Sequence, residues 1–259
     1  MNTDSFPGVK PQDPLVEILP DLFLLRGSIK LAPGLSIGRN MVVIRDGDEL
    51  TLVGSVRMTP ENEARVEDIG RVTNLVRIGL HGLDDAYTVS RFGCRFWCLA
   101  GTEGTYEQPP PDEIFTESDG LPFLDADLHR FEGIGISEAA IIWPKNGGVL
   151  ITSDALQHYG DWRYFNAPSR LVHPLMGFSR GMIVGPVWHR LLTVDETTLR
   201  ASFDKLVARN FEHMIGLHGT LCRDLAKERI RAAMVREFDE GPAMPDLTFR
   251  IVRRVFKVD

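Results

Sequence analysis

The sequence has no apolar run near the roughly 20 residues that a membrane span requires. It also has no basic and then apolar stretch at its start, where a signal peptide would need one. The opening residues, MNTDSFPGVKPQDP, carry aspartate and proline there instead. We therefore expect a cytoplasmic protein that does not bind membranes.

Cysteine and excess positive charge are also scarce. The three cysteines, Cys94, Cys98 and Cys222, are an odd number without a C-x-x-C pair, so we expect buried free thiols without chemistry. The chain has 36 acidic and 29 basic side chains, a formal charge of −7. This balance disfavours a general phosphate-binding surface, and we expect no nucleic-acid partner.

Several catalytic and nucleotide-binding motifs are missing as well. The sequence has no internal repeat, no G-x-S-x-G elbow, no P-loop and no G-x-G-x-x-G after a strand. The segment GIGIS, residues 133–137, has the glycines of a tight turn but lacks the third glycine of the dinucleotide motif. The common signatures of serine hydrolases and nucleotide-binding enzymes are therefore absent.

The composition is that of a globular protein, with 43% hydrophobic and 25% charged residues. We expect a single domain over residues 1–259, with a flexible segment at residues 1–15. Residues 155–190 are rich in aromatic and arginine side chains and predict a long loop region. This segment either packs by its own aromatics or covers a substrate site.

Local patterns predict both strands and helices. Val16 to Val56 reads as a β-meander, with a hairpin signal at Asp46-Gly47-Asp48. Thr59 is a candidate N-cap for a helix beginning at Pro60, and an apolar strand follows over residues 74–80. The tail FRIVRRVFKVD, residues 249–259, predicts a solvated edge strand.

Polar side chains follow three apolar strands, at the point where each strand ends. His81, Asp84 and Asp85 follow the first strand, Asp154 follows the second, and His218 follows the third. Because the ends of neighbouring strands can meet at one edge of a sheet, we expect these side chains to converge. Imidazole and carboxylate groups together are typical ligands of a divalent ion, which can activate water.

The order of these elements resembles the metallo-β-lactamase fold superfamily. The resemblance runs from the meander through HGLDDA, residues 81–86, and LITSDAL, residues 150–156, to IGLHG before the last helix. It covers nearly the whole chain, from about Val16 to Phe238. It implies a four-layer αββα sandwich of mixed α/β class, in which two mixed sheets pack face to face between outer helices.

The metal motif of that family, H-x-H-x-D-H with later ligands, is only partly present. His81, Asp85, Asp154 and His218 match family ligands. Aliphatic residues replace three other ligand positions, at Leu83, Ala86 and Ile134, and Gly54 stands where the family usually has an aspartate that supports the site. The first metal position of the family should therefore be empty.

The resemblance implies a second metal position that keeps three ligands, Asp85, Asp154 and His218. One divalent ion, zinc, manganese or iron, is conceivable there. Asp84 or His158 is a candidate replacement ligand. The alternative is a metal-free site in which the remaining aspartates and histidines hydrogen-bond one another.

Two functions follow from this reading. In the first, the protein is a divergent hydrolase in which one ion activates water and His81 or Asp84 carries protons. An ester, thioester or similar small-molecule acyl substrate would enter beneath residues 155–190. In the second, the protein is a non-catalytic binding protein whose cleft holds a small anionic ligand or a partner.

Overall fold

The computed structural model describes residues 6–104 and 109–256. Strands make up its centre and helices its outside. The strands are β1 (Val16–Leu19), β2 (Leu22–Ala32), β3 (Leu35–Asp46), β4 (Glu49–Val53), β5 (Arg71–Arg77), β6 (Arg95–Leu99), β7 (Glu113–Phe115), β8 (Asp127–Arg130), β9 (Ala139–Trp143), β10 (Val149–Thr152), β11 (Leu156–Tyr159), β12 (Gly181–Val184) and β13 (His213–Gly216). The α-helices are α1 (Pro60–Ile69), α2 (Asp85–Phe92), α3 (Ala167–Val172), α4 (Pro186–Leu192), α5 (Glu196–Val207), α6 (Ala226–Met234) and α7 (Asp246–Phe256).

The strands form two mixed sheets and one short pair. The first sheet has the order β1-β2-β3-β4-β5-β6-β7, antiparallel up to β4 and parallel from β4 onward. The second sheet has the order β13-β10-β9-β8, in which β10 and β13 are parallel. Strands β11 and β12 pair separately and antiparallel.

Alternation along the strands separates three apolar layers. Val42 and Val76 of the first sheet pack with Ile151 and Ile215 of the second, in a core between the sheets. Neighbouring residues on the same strands point the opposite way, because successive strand side chains alternate between faces. The sheets are therefore apolar on both faces, which requires helices outside.

Helices cover both outer faces. Val66 of α1 packs against outward residues of the first sheet, including Val43 and Leu75. Phe203 of α5 and Ile230 of α6 pack in the same way against the second sheet. These layers confirm the predicted four-layer αββα sandwich.

Turns and side-chain caps bound several elements, among them the predicted cap at Thr59. Asp21, in the turn between β1 and β2, has φ of 62°. The Thr59 side chain accepts a hydrogen bond from the Asn62 backbone N–H at the start of α1. Asp195 caps α5 in the same way through Thr198. Local side-chain chemistry therefore fixes these boundaries, as the sequence predicts.

The predicted C-terminal edge strand is wrong, because the described part of that tail lies in helix α7. Phe249 and Val252 are three residues apart and pack on the same apolar cluster as Phe178 and Met244. A helix places both side chains on one face, whereas a strand would place them on opposite faces. Residues 257–259 of this prediction lie outside the described residues.

The segment 155–190 is more regular than the sequence suggested, since it contains β11, α3, β12 and the start of α4. Its aromatics pack on one another, as the pairs Tyr159–Phe165 and Trp162–Phe165 show. Asn166 caps α3 by accepting a hydrogen bond from the Ser169 backbone N–H. The segment thus has a small core of its own, which allows short elements to form.

Part of the predicted flexible segment 1–15 packs against the first sheet. Gln12 donates a hydrogen bond to the Arg57 carbonyl at 2.9 Å, and the Leu15 side chain is buried. Residues 1–5 lie outside the described residues. Within the described ranges, no helix combines the length and apolar character that crossing a bilayer requires. All three cysteines are buried free thiols, which confirms that prediction.

His129 on β8 makes the stability of the fold depend on pH. Its ring lies 3.1 Å from the Ser202 hydroxyl, and burial lowers the pKa of His129 to about 4. An unfolded histidine has a pKa of about 6.5, so the unfolded state binds more protons between these values. We expect the free energy of unfolding to fall as the pH drops from 6.5 to 4, by about 3 kcal/mol from this group.

Urea unfolding at several pH values measures this effect. His129→Gln keeps a polar group near Ser202 but does not titrate in this range, so its unfolding free energy should fall less steeply over the same interval. An equal slope in both proteins would show that other groups cause the dependence.

Candidate metal centre

The predicted site residues lie beyond the ends of β5, β10 and β13. Strands β10 and β13 are parallel, with Thr152 opposite Gly216. Asp154 and His218 each follow two residues later, so both side chains lie at the same level of this sheet. The second sheet meets the first where the Ala139 backbone N–H donates to the Ile78 carbonyl at 2.8 Å. This bond brings the end of β5, and with it His81, to the same edge.

His81, Asp154 and His218 form a cluster that we call the donor cluster. Its ligand atoms all lie within 4.8 Å of one another. His81 Nε2 is 2.9 Å from Asp154 Oδ2, His218 Nε2 is 3.3 Å from Asp154 Oδ1, and the two Nε2 atoms are 2.9 Å apart. The side chains of His81 and Asp154 are 32% and 20% exposed, so solutes can reach the cluster.

A backbone hydrogen bond fixes the tautomer of His218. Its Nδ1 lies 2.6 Å from the Gly38 carbonyl oxygen, which can only accept, so Nδ1 carries a proton. In the neutral ring Nε2 then has a lone pair, which points at the Asp154 carboxylate and the His81 ring. Histidines that bind metals typically donate their other N–H to a carbonyl in this way.

The charges of the donor cluster reinforce one another. Burial alone would raise the pKa of Asp154, but His81 and His218 lower it well below its usual range. Burial alone would lower the pKa of His81, but the Asp154 carboxylate raises it. The carboxylate is therefore ionised at neutral pH and able to neutralise a cation.

The donor cluster fits one metal ion. Bonds of about 2.0–2.1 Å to zinc hold neighbouring tetrahedral donors about 3.3 Å apart, so the present spacings need only a small expansion. Two imidazoles and one carboxylate suit zinc or ferrous iron. Because His218 Nδ1 bonds to the Gly38 carbonyl, Nε2 is the nitrogen of His218 that a metal ion would use.

Asp85, the third predicted ligand, lies outside the donor cluster. Its Oδ2 accepts hydrogen bonds from Arg77 Nε at 2.9 Å and Nη2 at 2.5 Å, and its Oδ1 accepts one from the Ser55 hydroxyl. Both Arg77 and Asp85 have side chains only 1% exposed. The Arg77 guanidinium thus binds the carboxylate that the family motif assigns to a metal. In place of Asp85, His81 lies beside Asp154 and His218.

Gly82 makes room for this ion pair. A Cβ atom on Gly82 would lie 1.7 Å from Arg77 Nη2, which no side chain could tolerate. The Arg77 Nη1 group also donates to the Thr102 carbonyl at 3.1 Å. The loop that carries His81 is therefore built around the Arg77 side chain.

Asp84, predicted as a proton carrier, is also buried and paired. Its Oδ2 accepts the Arg57 backbone N–H at 2.9 Å and pairs with Arg39, and its side chain is 1% exposed. The Asp84 Oδ1 and Arg39 Nε atoms are buried without a hydrogen-bond partner. Asp84 thus lies between two arginines, outside the donor cluster.

The residues at the replaced family positions, and His158, lie outside the donor cluster. Ile134 packs against the core beside α5, and Leu83 is 39% exposed. Gly54 has φ of 70°, and a Cβ there would lie 3.0 Å from the methyl groups of Leu217, so an aspartate does not fit. His158 bonds to Thr220 and Arg229. None of these side chains belongs to the donor cluster.

Sequence reasoning missed two buried charged residues at this edge. Arg77 lies within an apolar strand, and Glu138 immediately precedes the apolar strand β9. A charged residue within or beside a buried strand signals a buried partner, because an unpaired buried charge is costly. That signal was present for both residues, but it does not identify the partner.

A second group of possible metal donors, Glu212, His213 and Asp224, is less suited to a cation. The His213 Nδ1 atom accepts the Asp224 backbone N–H at 2.9 Å. Its lone pair is therefore occupied, and in the neutral ring Nε2 carries the proton. Both nitrogens are thus unavailable as neutral ligands.

The segment 155–190 reaches the surroundings of His218. Its residues Tyr159, Asp161 and Tyr164 line a small cavity together with Gly38 and Gly219. Gly38 supplies the carbonyl that orients His218. Gly219 is the residue after His218 in the chain. The segment therefore reaches the backbone that orients and follows His218.

Known structures resemble this fold, although no protein-family model and no curated protein matches the sequence. The metallo-β-lactamase VMB-1 is 12% identical with a TM-score of 0.62, over 88% of this chain and 99% of its own. FIM-1 from Pseudomonas aeruginosa, in a mono-zinc form, is 11% identical with a TM-score of 0.59, over 89% and 97%. A metallo-β-lactamase from Erythrobacter litoralis is 11% identical with a TM-score of 0.58, over 88% and 96%. The chain therefore has the metallo-β-lactamase fold, as the sequence predicted.

Proposed function

We propose that this protein is a hydrolase that uses a single divalent metal ion held by His81, Asp154 and His218. The observation that carries the proposal is the donor cluster, in which two imidazole rings and one carboxylate bring their ligand atoms within 4.8 Å of one another and the Gly38 carbonyl orients His218. A divalent ion bound there would acidify a water molecule and polarise a carbonyl oxygen. Zinc is the metal that we favour for two imidazoles and one carboxylate.

The residues of the site would have separate roles in this reaction. His218 is held rigidly through the Gly38 carbonyl, and Asp154 supplies the negative charge that balances a cation. His81 is the most exposed member of the donor cluster and is the one that a substrate or water can approach. Asp84 is buried against Arg39, so we give it the role of holding the loop rather than of moving protons.

The substrate that we propose is a small ester, thioester or similar acyl compound. The exposure of His81 and Asp154 leaves the donor cluster open on one side. Tyr159 and Tyr164 of the segment 155–190 line a cavity with Gly38, whose carbonyl accepts from His218. A small molecule that enters beneath this segment would reach the cluster with its carbonyl group.

Elemental analysis and hydrolysis assays test the proposal together. Protein purified without chelator should contain about one equivalent of metal, and ester or thioester hydrolysis should stop when a chelator removes it. Two equivalents would contradict a single-ion site. Hydrolysis that continues at full rate after chelation would contradict metal dependence.

A second candidate function, a non-catalytic binding protein, has one observation in its favour. The Arg77–Asp85 pair and the aliphatic residues Leu83, Ala86 and Ile134 remove four of the seven matched ligand positions. A thermal-shift screen of small anions in the presence of chelator tests it, since a specific ligand raises stability by mass action. A stabilising anion in a protein without metal or hydrolysis would favour this alternative.

A further inference from the structure

Glu138 is a buried acid that is not one of the metal ligands considered above. It lies in the segment 133–138, just before β9, and is only 2% exposed. Its Oε1 atom accepts two backbone N–H groups, from Asp154 at 2.9 Å and from Ala155 at 2.7 Å. The side chain therefore holds the backbone of the Asp154 turn from the neighbouring strand.

The other carboxyl oxygen of Glu138 faces the loop that carries His81. A Cβ atom on Gly79 would lie 3.2 Å from Glu138 Oε2 and 2.9 Å from Ser153 Oγ. Gly79 thus provides the space that the carboxyl group occupies, two residues before His81. The adjacent Ala139 backbone N–H donates to the Ile78 carbonyl at 2.8 Å. Glu138 consequently touches the turns that present two of the three members of the donor cluster.

We infer that Glu138 is a positioning residue that sets the distance between His81 and Asp154 and so determines the metal affinity of the donor cluster. The inference deepens the proposed function and rests on it for the metal readout. A carboxylate that accepts two amides of one turn restricts the turn more than a single bond would. Groups that orient metal ligands typically change metal affinity by about 10–100-fold when they are removed.

Zinc titration of three variants tests the inference. We expect Glu138→Ala to bind zinc about 10–100-fold more weakly than the original protein. Glu138→Gln keeps an Oε1 acceptor for both amides and should restore most of the affinity. A Gly79→Ala variant should also bind zinc more weakly, because its methyl group would crowd both Ser153, next to Asp154, and the Glu138 carboxyl.

The matched control is Glu237→Ala. Glu237 is another buried acid, 3% exposed, that accepts the Ala243 backbone N–H at 3.0 Å and bonds to His189, away from the donor cluster. Its loss should lower stability without changing zinc affinity. Zinc affinity at the original level in folded Glu138→Ala, or in Gly79→Ala if the first variant does not fold, would overturn the inference.

A metal-free measurement separates this inference from the proposed function. In protein treated with chelator, Glu138→Ala should accelerate amide hydrogen exchange at Asp154 and Ala155 and shift the ring resonances of His81 and His218. Unchanged exchange and resonances would overturn the positioning role even if zinc binds. Suppose that the original protein binds no zinc, but Glu138→Ala still changes the amide exchange and the ring resonances. The proposed function is then wrong, and Glu138 positions the two turns without any effect on metal affinity.

Discussion

Asp154→Asn is expected to weaken zinc binding by at least about 100-fold, because the substitution removes the only carboxylate of the donor cluster. The asparagine side chain has nearly the same shape, so packing should change little. Its neutral amide, however, cannot balance the charge of a cation between His81 and His218. Metal content after purification without chelator, together with zinc titration, measures the effect.

Asp224→Asn provides the control for this experiment. Asp224 belongs to the second group of possible donors, and its side chain is 67% exposed. The variant should contain as much metal as the original protein. If Asp224→Asn loses metal and Asp154→Asn keeps it, the ion lies in the second group and the proposed site is wrong.

Arg77→Met should lower the free energy of unfolding by about 3–5 kcal/mol, because it leaves Asp85 buried without its cation. The pair has side chains only 1% exposed and two hydrogen bonds between its members. Burial raises the pKa of Asp85, and Arg77 opposes that effect. Chemical denaturation at neutral pH measures the loss.

The double variant Arg77→Met with Asp85→Leu tests the cause. Removing both charges eliminates the unpaired carboxylate, so at least half of the lost stability should return. A loss below about 1 kcal/mol in Arg77→Met alone would contradict a buried pair.

Local rules account for much of what the sequence could predict. The meander of β1 to β4, the Thr59 cap and the Asp195 cap depend on residues close together in the chain. Asp154 and His218 were found as site candidates because each ends an apolar strand, and parallel neighbours end at one edge. The fold class followed from the order of these elements, and the known structures confirm it.

Contacts between distant residues limited the rest. Helix α7 is a different case, because the helical spacing of Phe249 and Val252, which pack with Phe178 and Met244, was visible in the sequence and the edge-strand prediction did not use it. The predicted ligand role of Asp85 depended on the direction of its side chain. That direction is set by Arg77, on the preceding strand, and by Ser55, 30 residues earlier. A family motif specifies residue types, but it does not specify which neighbour neutralises each charge.

Two buried arginines allow this edge of the sheets to fold without a bound metal ion. Arg39 and Arg77 neutralise Asp84 and Asp85, which would otherwise need an external cation. Metal binding is coupled to folding where the ligands cannot be buried without the ion. In this chain the loop around His81 is already held by protein charges, so synthesis and folding can finish before any ion arrives. Under the proposed function, metal loading would then be a reversible step that follows the metal concentration of the surroundings.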